Sequence, residues 1–157
     1  MWGNPRSAAG LQRSILWSET DPIQGKDSIV PNANDAELVR VYPRNAGGEI
    51  AEETIPTATA FEVVAEAEAG LTLFNGGGPY NLILTVEDLA TSAIVHTDSK
   101  TGNLHEAAGW SAQAFQFPFA VPAQTVVNDP YQARVVLTVG AADRIVEYQE
   151  SAVFVIV

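Results

Sequence analysis

Four stretches of the chain alternate apolar and polar residues with period two. Phe61–Ala69 places Phe61, Val63, Ala65, Ala67 and Ala69 on one side and Glu62, Glu66 and Glu68 on the other. Tyr80–Glu87 does the same with Tyr80, Leu82, Leu84 and Val86. Phe115, Phe117 and Phe119 share a side, with Pro118 marking an edge or a bulge, and Tyr131–Val139 is the fourth stretch. Successive side chains on a strand point to opposite faces, so each stretch predicts a strand with one dry and one wet face. Leu84 and Val135 fall on dry faces and are expected to be buried. A slip of one residue would exchange the faces.

Weaker signals fill in the order. Glu37–Tyr42 reads as a first strand with Leu38, Arg40 and Tyr42 on one face, ended by Pro43 and the Asn45–Gly48 turn. Ile50–Ile55 reads as a short edge strand. Ala65–Ala69 taken alone suits a helix, but Phe61–Val64 just before it favours strand. Asn75–Pro79 is the strongest loop signal. Ala93–His96 reads as a short strand, Asp98–Asn103 as a turn, and Leu104–Gly109 as irregular chain leading to Trp110. A turn at Asn128–Pro130 precedes Tyr131–Val139. A second at Gly140–Asp143 precedes a closing strand over Ile145–Val157. That makes about seven strands and no amphipathic helix of useful length, an all-β sandwich.

Ala152–Val157 is apolar on both faces, without a gatekeeper charge. As an open edge it would invite aggregation, so it is expected to be paired and covered. Residues 1–35 differ from the rest, with turn formers around Asp21–Asp27 and Pro31–Asp35, and read as an N-terminal arm. Residues 36–157 form the sandwich domain. Ile15, Leu16 and Trp17 suggest that the arm docks on the sandwich or on a neighbouring subunit.

Composition narrows the function classes. The chain has 157 residues, 46% of them hydrophobic, and no cysteine, so it has no disulfide and no thiolate chemistry. The opening Met1–Arg6 shows no signal peptide, which for a complete chain points to the cytoplasm. Nineteen acids against eight Lys and Arg give a net charge of −11. Nine carboxylates and no Lys or Arg lie between Gly47 and Ser99. Such a surface repels phosphate, which argues against nucleic acid or an anionic membrane as partner. No membrane insertion and no cofactor are expected; the acidic run reads first as a solvated face that keeps a β protein soluble, with a basic partner or a divalent cation as the alternatives.

Chemistry-bearing residues are few. His96, Asp98, His105 and Glu106 lie within eleven residues across the expected turn and are the one candidate zinc cluster, with surface histidines as the plain alternative. Glu87 and Asp88 with Asp98 could supply hard oxygen ligands to calcium. Ser92, Ser99 and Ser111 sit near the histidines, but none stands in a Gly-x-Ser-x-Gly elbow. The acids Glu62, Glu66, Glu87 and Asp88 could be paired for glycoside chemistry only by chance. The Gly76–Pro79 loop lacks the Gly-Lys-Ser/Thr end of a phosphate loop. Trp110 could be a stacking platform for a sugar, a hot spot for a protein, or a plug at one end of the sandwich. No catalytic residue is assigned, and the ligand-binding candidates are Trp110, His105 and His96.

The closing pattern, Tyr131–Val135 followed by Tyr148–Val155, resembles immunoglobulin-like sandwiches, where a Tyr-bearing penultimate strand pairs with an apolar last strand. The resemblance spans residues 36–157 and implies an antiparallel sandwich. The cysteines of antibody domains are missing, and Trp110 is not on the strand that carries their core Trp. A looser similarity is to the carbohydrate-binding sandwich domains of bacterial polysaccharide exporters. Three readings follow. The first is a non-catalytic interaction or structural module, possible as a subunit of an assembly, with a protein partner or self-association. The second is a carbohydrate- or small-ligand-binding sandwich, and the third a small enzyme using the His96/His105 region.

Overall fold

The computed structural model describes residues 33–140 and 145–157. The N-terminal arm up to residue 32 and most of the Gly140–Asp143 turn lie outside them. Nine strands and one short helix follow in order among the described residues: β1 (Ala36–Asn45), β2 (Thr54–Ile55), β3 (Phe61–Ala69), α1 (Leu71–Gly76), β4 (Pro79–Asp88), β5 (Ala93–Asn103), β6 (Ala114–Val121), β7 (Pro130–Val139), β8 (Ile145–Glu150) and β9 (Phe154–Ile156). They form two sheets packed face to face, one with strand order β1-β3-β6 and one with order β2-β9-β7-β4-β5, where β8 also pairs with β7. The protein is an all-β sandwich, as the alternation predicts.

The dry faces are where the pattern puts them. Leu82, Leu84 and Val86 of β4 and Ala133, Val135 and Leu137 of β7 are fully buried. They meet Val63, Ala65 and Ala67 of β3 and Phe117 and Phe119 of β6 in one core. The ladder Leu82↔Leu137 and Leu84↔Val135 fixes the register. At one end Phe154 closes the core, stacked on Tyr131 and edge-on to Phe61.

Several local expectations are corrected. In β1 Pro43 does not end the strand; it pairs with Val63, and the ladder runs to Asn45. Among the described residues β1 is an edge strand, and an edge tolerates the missing N–H. A bulge between Leu38 and Arg40 flips the faces. Leu38 and Val41 point inward, whereas Arg40, Tyr42 and Arg44 share the outer face with Glu66 and Glu62. The six residues Leu71–Gly76, too short to show helical periodicity, make one helical turn and a half. Gly77 and Gly78 follow with φ of 68° and 132°, which a side chain rarely adopts.

The largest correction is β5. Asp98–Asn103 is no turn; it continues Ala93–Thr97 as one eleven-residue strand paired with β4, with one bulge at Val95. Backbone pairing to a fully buried neighbour outweighs the turn preference of Asp, Ser, Gly and Asn. The closing segment, expected as one strand, breaks at Ser151. There the Ser151 N–H donates to the Ala133 carbonyl, and its Oγ accepts from the Ala133 N–H at 3.0 Å. Both halves remain on the same side of β7. β9 is flanked on its other side by β2 in parallel, so the apolar C-terminal strand is not an open edge. No described helix is long and apolar enough to cross a membrane.

Candidate binding groove

Trp110 ends the irregular segment after β5, and its side chain is fully buried. Its Nε1–H donates to the Gln113 carbonyl at 3.3 Å. The indole stands edge-on to Tyr80 and Phe117, with ring centroids 5.6 and 5.4 Å away. Edge-on packing of this kind suits ring quadrupoles. The geometry corrects the platform reading: Trp110 plugs the sandwich beneath the 104–110 segment and offers no open face. The position after two alanines and a glycine suggests exposure, but those small residues are what lets the chain fold over the ring.

The same plug explains two glycines. A Cβ on Gly102 would lie 3.0 Å from the Tyr80 hydroxyl, and one on Gly109 would lie 2.8 Å from it. The Tyr80 phenol is thus held between β5 and the loop that covers Trp110. Burial raises its pKa above the ordinary value, opposed by the Trp110 backbone N–H and helped by Glu106.

The proposed metal and catalytic groupings do not assemble. His96 and Asp98 lie midway along β5, opposite Val86 and Leu84. His105 lies past the end of the strand, where it packs against the Phe74 ring at 4.9 Å. Seven steps of extended strand, roughly 23 Å, separate His96 from Asn103 alone. The grouping rested on a turn between the histidines, and a straight strand replaces it. Glu106 accepts from the Asn103 amide instead. Glu87 pairs with Arg134 at 2.9 Å. Asp88 is buried and caps its own turn, accepting from the Ala90 and Thr91 N–H groups and the Thr91 hydroxyl. Those bonds, led by the Thr91 hydroxyl, lower its pKa. Asp98 accepts from the Ser99 N–H at 2.7 Å. Among the described residues no three His, Asp or Glu side chains are placed to hold a metal ion. Glu62 binds Arg44, and Glu66 accepts from Arg40, Tyr42 and Gln116, so both serve the outer face of the first sheet.

What the fold does build is a groove of about 600 Å³ between the facing edges of β5 and β6, roofed at one end by Ala107–Gly109. Lys100 and the half-buried Phe115 line it, with Thr101 and Gln116 on the adjoining strand edges; the Gln116 amide is turned to Glu66 on the outer face of the first sheet. Lys100 is the sole charged residue of that lining, and its Nζ lies 5.2 Å from the Phe119 ring centroid, within cation–π range. Sequence reasoning missed Lys100, Phe115 and Gln116, because they come together only once residues 98–103 are a strand. One signal was available: Lys100 is the single Lys or Arg between Arg44 and Arg134.

No protein-family model matches the chain, and no curated protein matches it. Solved structures similar to it include a glycosyl hydrolase family 2 member from Bacteroides cellulosilyticus. It is 13% identical over 77% of this chain and 15% of that one, with a TM-score of 0.47. Another is Spo0M, a sporulation control protein from Bacillus subtilis, 12% identical over 78% of this chain and 49% of that one, with a TM-score of 0.40. The chain thus spans well under two thirds of either. Both neighbours are β-rich, and likenesses of this size carry no statement about chemistry or partners.

Proposed function

We propose that the chain is a non-catalytic, immunoglobulin-like binding module whose working surface is the groove between β5 and β6. The strand order supports the immunoglobulin-like assignment: β1-β3-β6 faces the β7-β4-β5 group, with the chain crossing between sheets from β3 to β4 and again from β5 to β6. The observation that carries the functional reading is the groove lining. On a domain of strong negative charge, one cation and one partly open aromatic ring meet in a single concavity. Binding sites combine apolar surface with a few oriented polar groups, and here the exposed lining is mostly polar around the Phe115 ring.

A protein segment bearing an acidic side chain suits the lining, with its carboxylate toward Lys100 and an apolar neighbour on Phe115. Carbohydrate is a second reading, favoured by the open part of the Phe115 ring in a mostly polar groove. The test is to probe peptide and oligosaccharide arrays with the protein and repeat with Phe115→Ala and Lys100→Gln. Retention on acidic peptides that both variants reduce at least tenfold is the expected result. Retention that neither variant changes would overturn the assignment of the groove. Loss with Phe115→Ala on neutral oligosaccharides would select the carbohydrate reading.

A further inference from the structure

The edge of β5 has a second property, independent of what the groove holds. Leu104 N–H donates to the Gly78 carbonyl, and the antiparallel register continues from there as Gly102↔Tyr80, Lys100↔Leu82 and Asp98↔Leu84. Hydrogen-bonded and non-bonded pairs alternate along an antiparallel ladder. Gly102, Lys100 and Asp98 therefore spend their backbone groups on β4, and Thr97, Ser99 and Thr101 direct theirs away from the sheet. Among the described residues no other strand pairs with β5, and no backbone group bonds to those three. Their side chains are exposed. The Ser99 N–H has a local acceptor, the Asp98 carboxylate.

An edge this long is normally protected by charges, a proline or a bulge, and the bulge of β5, at Val95, lies outside Thr97–Thr101. Here the charges are of opposite sign and symmetrically placed. Asp98 and Lys100 flank Ser99, both on the inner face opposite Leu84 and Leu82. We propose that two copies of the chain pair antiparallel along β5 about a two-fold axis at Ser99.

In that register Ser99 faces Ser99 of the second copy, and Thr97 faces its Thr101. These are the residues with free backbone groups on both sides, so the parity of the two edges matches. About six backbone hydrogen bonds form, two for each of three residue pairs. Asp98 then faces Lys100 of the second copy, and Lys100 faces its Asp98, at non-bonded positions where side chains approach most closely. A two-fold interface requires such self-complementarity. Shifting the register by two residues in either direction would lose both charge pairs. Acidic copies of net charge −11 repel each other, and this edge, with one Asp and one Lys, is a neutral place for them to meet. The proposal goes beyond the groove reading and does not depend on it.

The test is light scattering after size exclusion over a concentration series, with circular dichroism to verify folding of each variant. The wild-type chain should move from monomer to dimer mass as concentration rises. Lys100→Asp, which sets acids against acids, should remain monomeric. The exchange Asp98→Lys with Lys100→Asp restores the pairs in reverse and should recover the dimer. Ser99→Pro removes a central outward N–H without touching the β4 ladder and should also remain monomeric. A wild-type chain that stays monomeric at millimolar concentration would overturn the proposal. So would a dimer that survives Lys100→Asp, because it would form through another surface.

Discussion

β4 and β5 are neighbours in one sheet, joined from Pro79↔Asn103 to Asp88↔Ala93 with one bulge at Val95, yet they are built in opposite ways. β4 has a partner on each side and a face of Tyr80, Leu82, Leu84 and Val86 pressed into the core. β5 has one partner, and none of its residues is fully buried. The first holds the sandwich together; the second presents chemistry at its rim. The contrast shows where burial stops deciding sequence. On β4 the dry face demands alternation, whereas on β5, where Val95 is the one apolar side chain packed on the core, the backbone ladder chiefly keeps the strand extended.

The sharpest way to break the comparison is at the centre. Deleting residues 152–157 removes Phe154 and Ile156, both fully buried, and strips β7 and β2 of their shared neighbour. Loss of soluble, folded protein is expected, measured by expression and circular dichroism. A cooperatively melting truncated chain would show that β9 is an appendage. Next, Leu84→Ala on β4 should cost about 2–5 kcal/mol in denaturant unfolding, because it removes a fully enclosed side chain. Thr97→Ala or Thr101→Ala on β5 should stay within about 0.5 kcal/mol. Equal costs at the two sites would erase the distinction between centre and rim.

A smaller effect sharpens the boundary where the rim meets the core. Gly109→Ala would set a methyl 2.8 Å from the Tyr80 hydroxyl and should cost about 1–3 kcal/mol. In a Tyr80→Phe background the obstructing oxygen is gone, and the same change should cost much less. Additive effects would mean that the loop, and not the phenol, is what resists the methyl.

Smallest is the acid dependence at the far end of β4. Asp88 has a pKa below its ordinary 3.8 because its carboxylate accepts from the Thr91 hydroxyl and the Ala90 and Thr91 N–H groups. A folded-state pKa below the unfolded value gives stability that is complete above 3.8 and lost as pH falls through the depressed folded value. Asp88→Asn should therefore flatten the fall in melting temperature over that window. An unchanged profile would assign the acid sensitivity to other carboxylates.

How far the molecule was legible follows from the same contrast. β3, β4 and β7 alternate because each has one buried face, so their extents, dry faces and the burial of Leu84 and Val135 could be read directly. β1 was legible in part: its bulge at Val39 breaks the period, and no residue type announces a bulge at a Val. β5 was misread because Asp98–Asn103 consists of turn formers, and only its neighbour makes it a strand. The His96/Asp98/His105/Glu106 grouping depended on that misreading, whereas Glu62, Glu66, Glu87 and Asp88 are taken up by ion pairs and a turn cap. Trp110 was legible as a large residue at a special place, but whether its face is open depends on the loop above it. The groove was illegible, since it joins Lys100 to Phe115 and Gln116 from strands in different sheets.

The most direct measurement is residue-resolved amide exchange along β5, at a concentration too low for copies to associate. The ladder predicts a period of two: slow exchange at Asp98, Lys100 and Gly102, whose N–H groups bond to β4, and fast exchange at Thr97, Ser99 and Thr101, which face solvent. Uniformly fast exchange from Asp98 to Asn103 would mean that the segment is the turn its composition suggests, and the groove and the pairing edge would both fall with it.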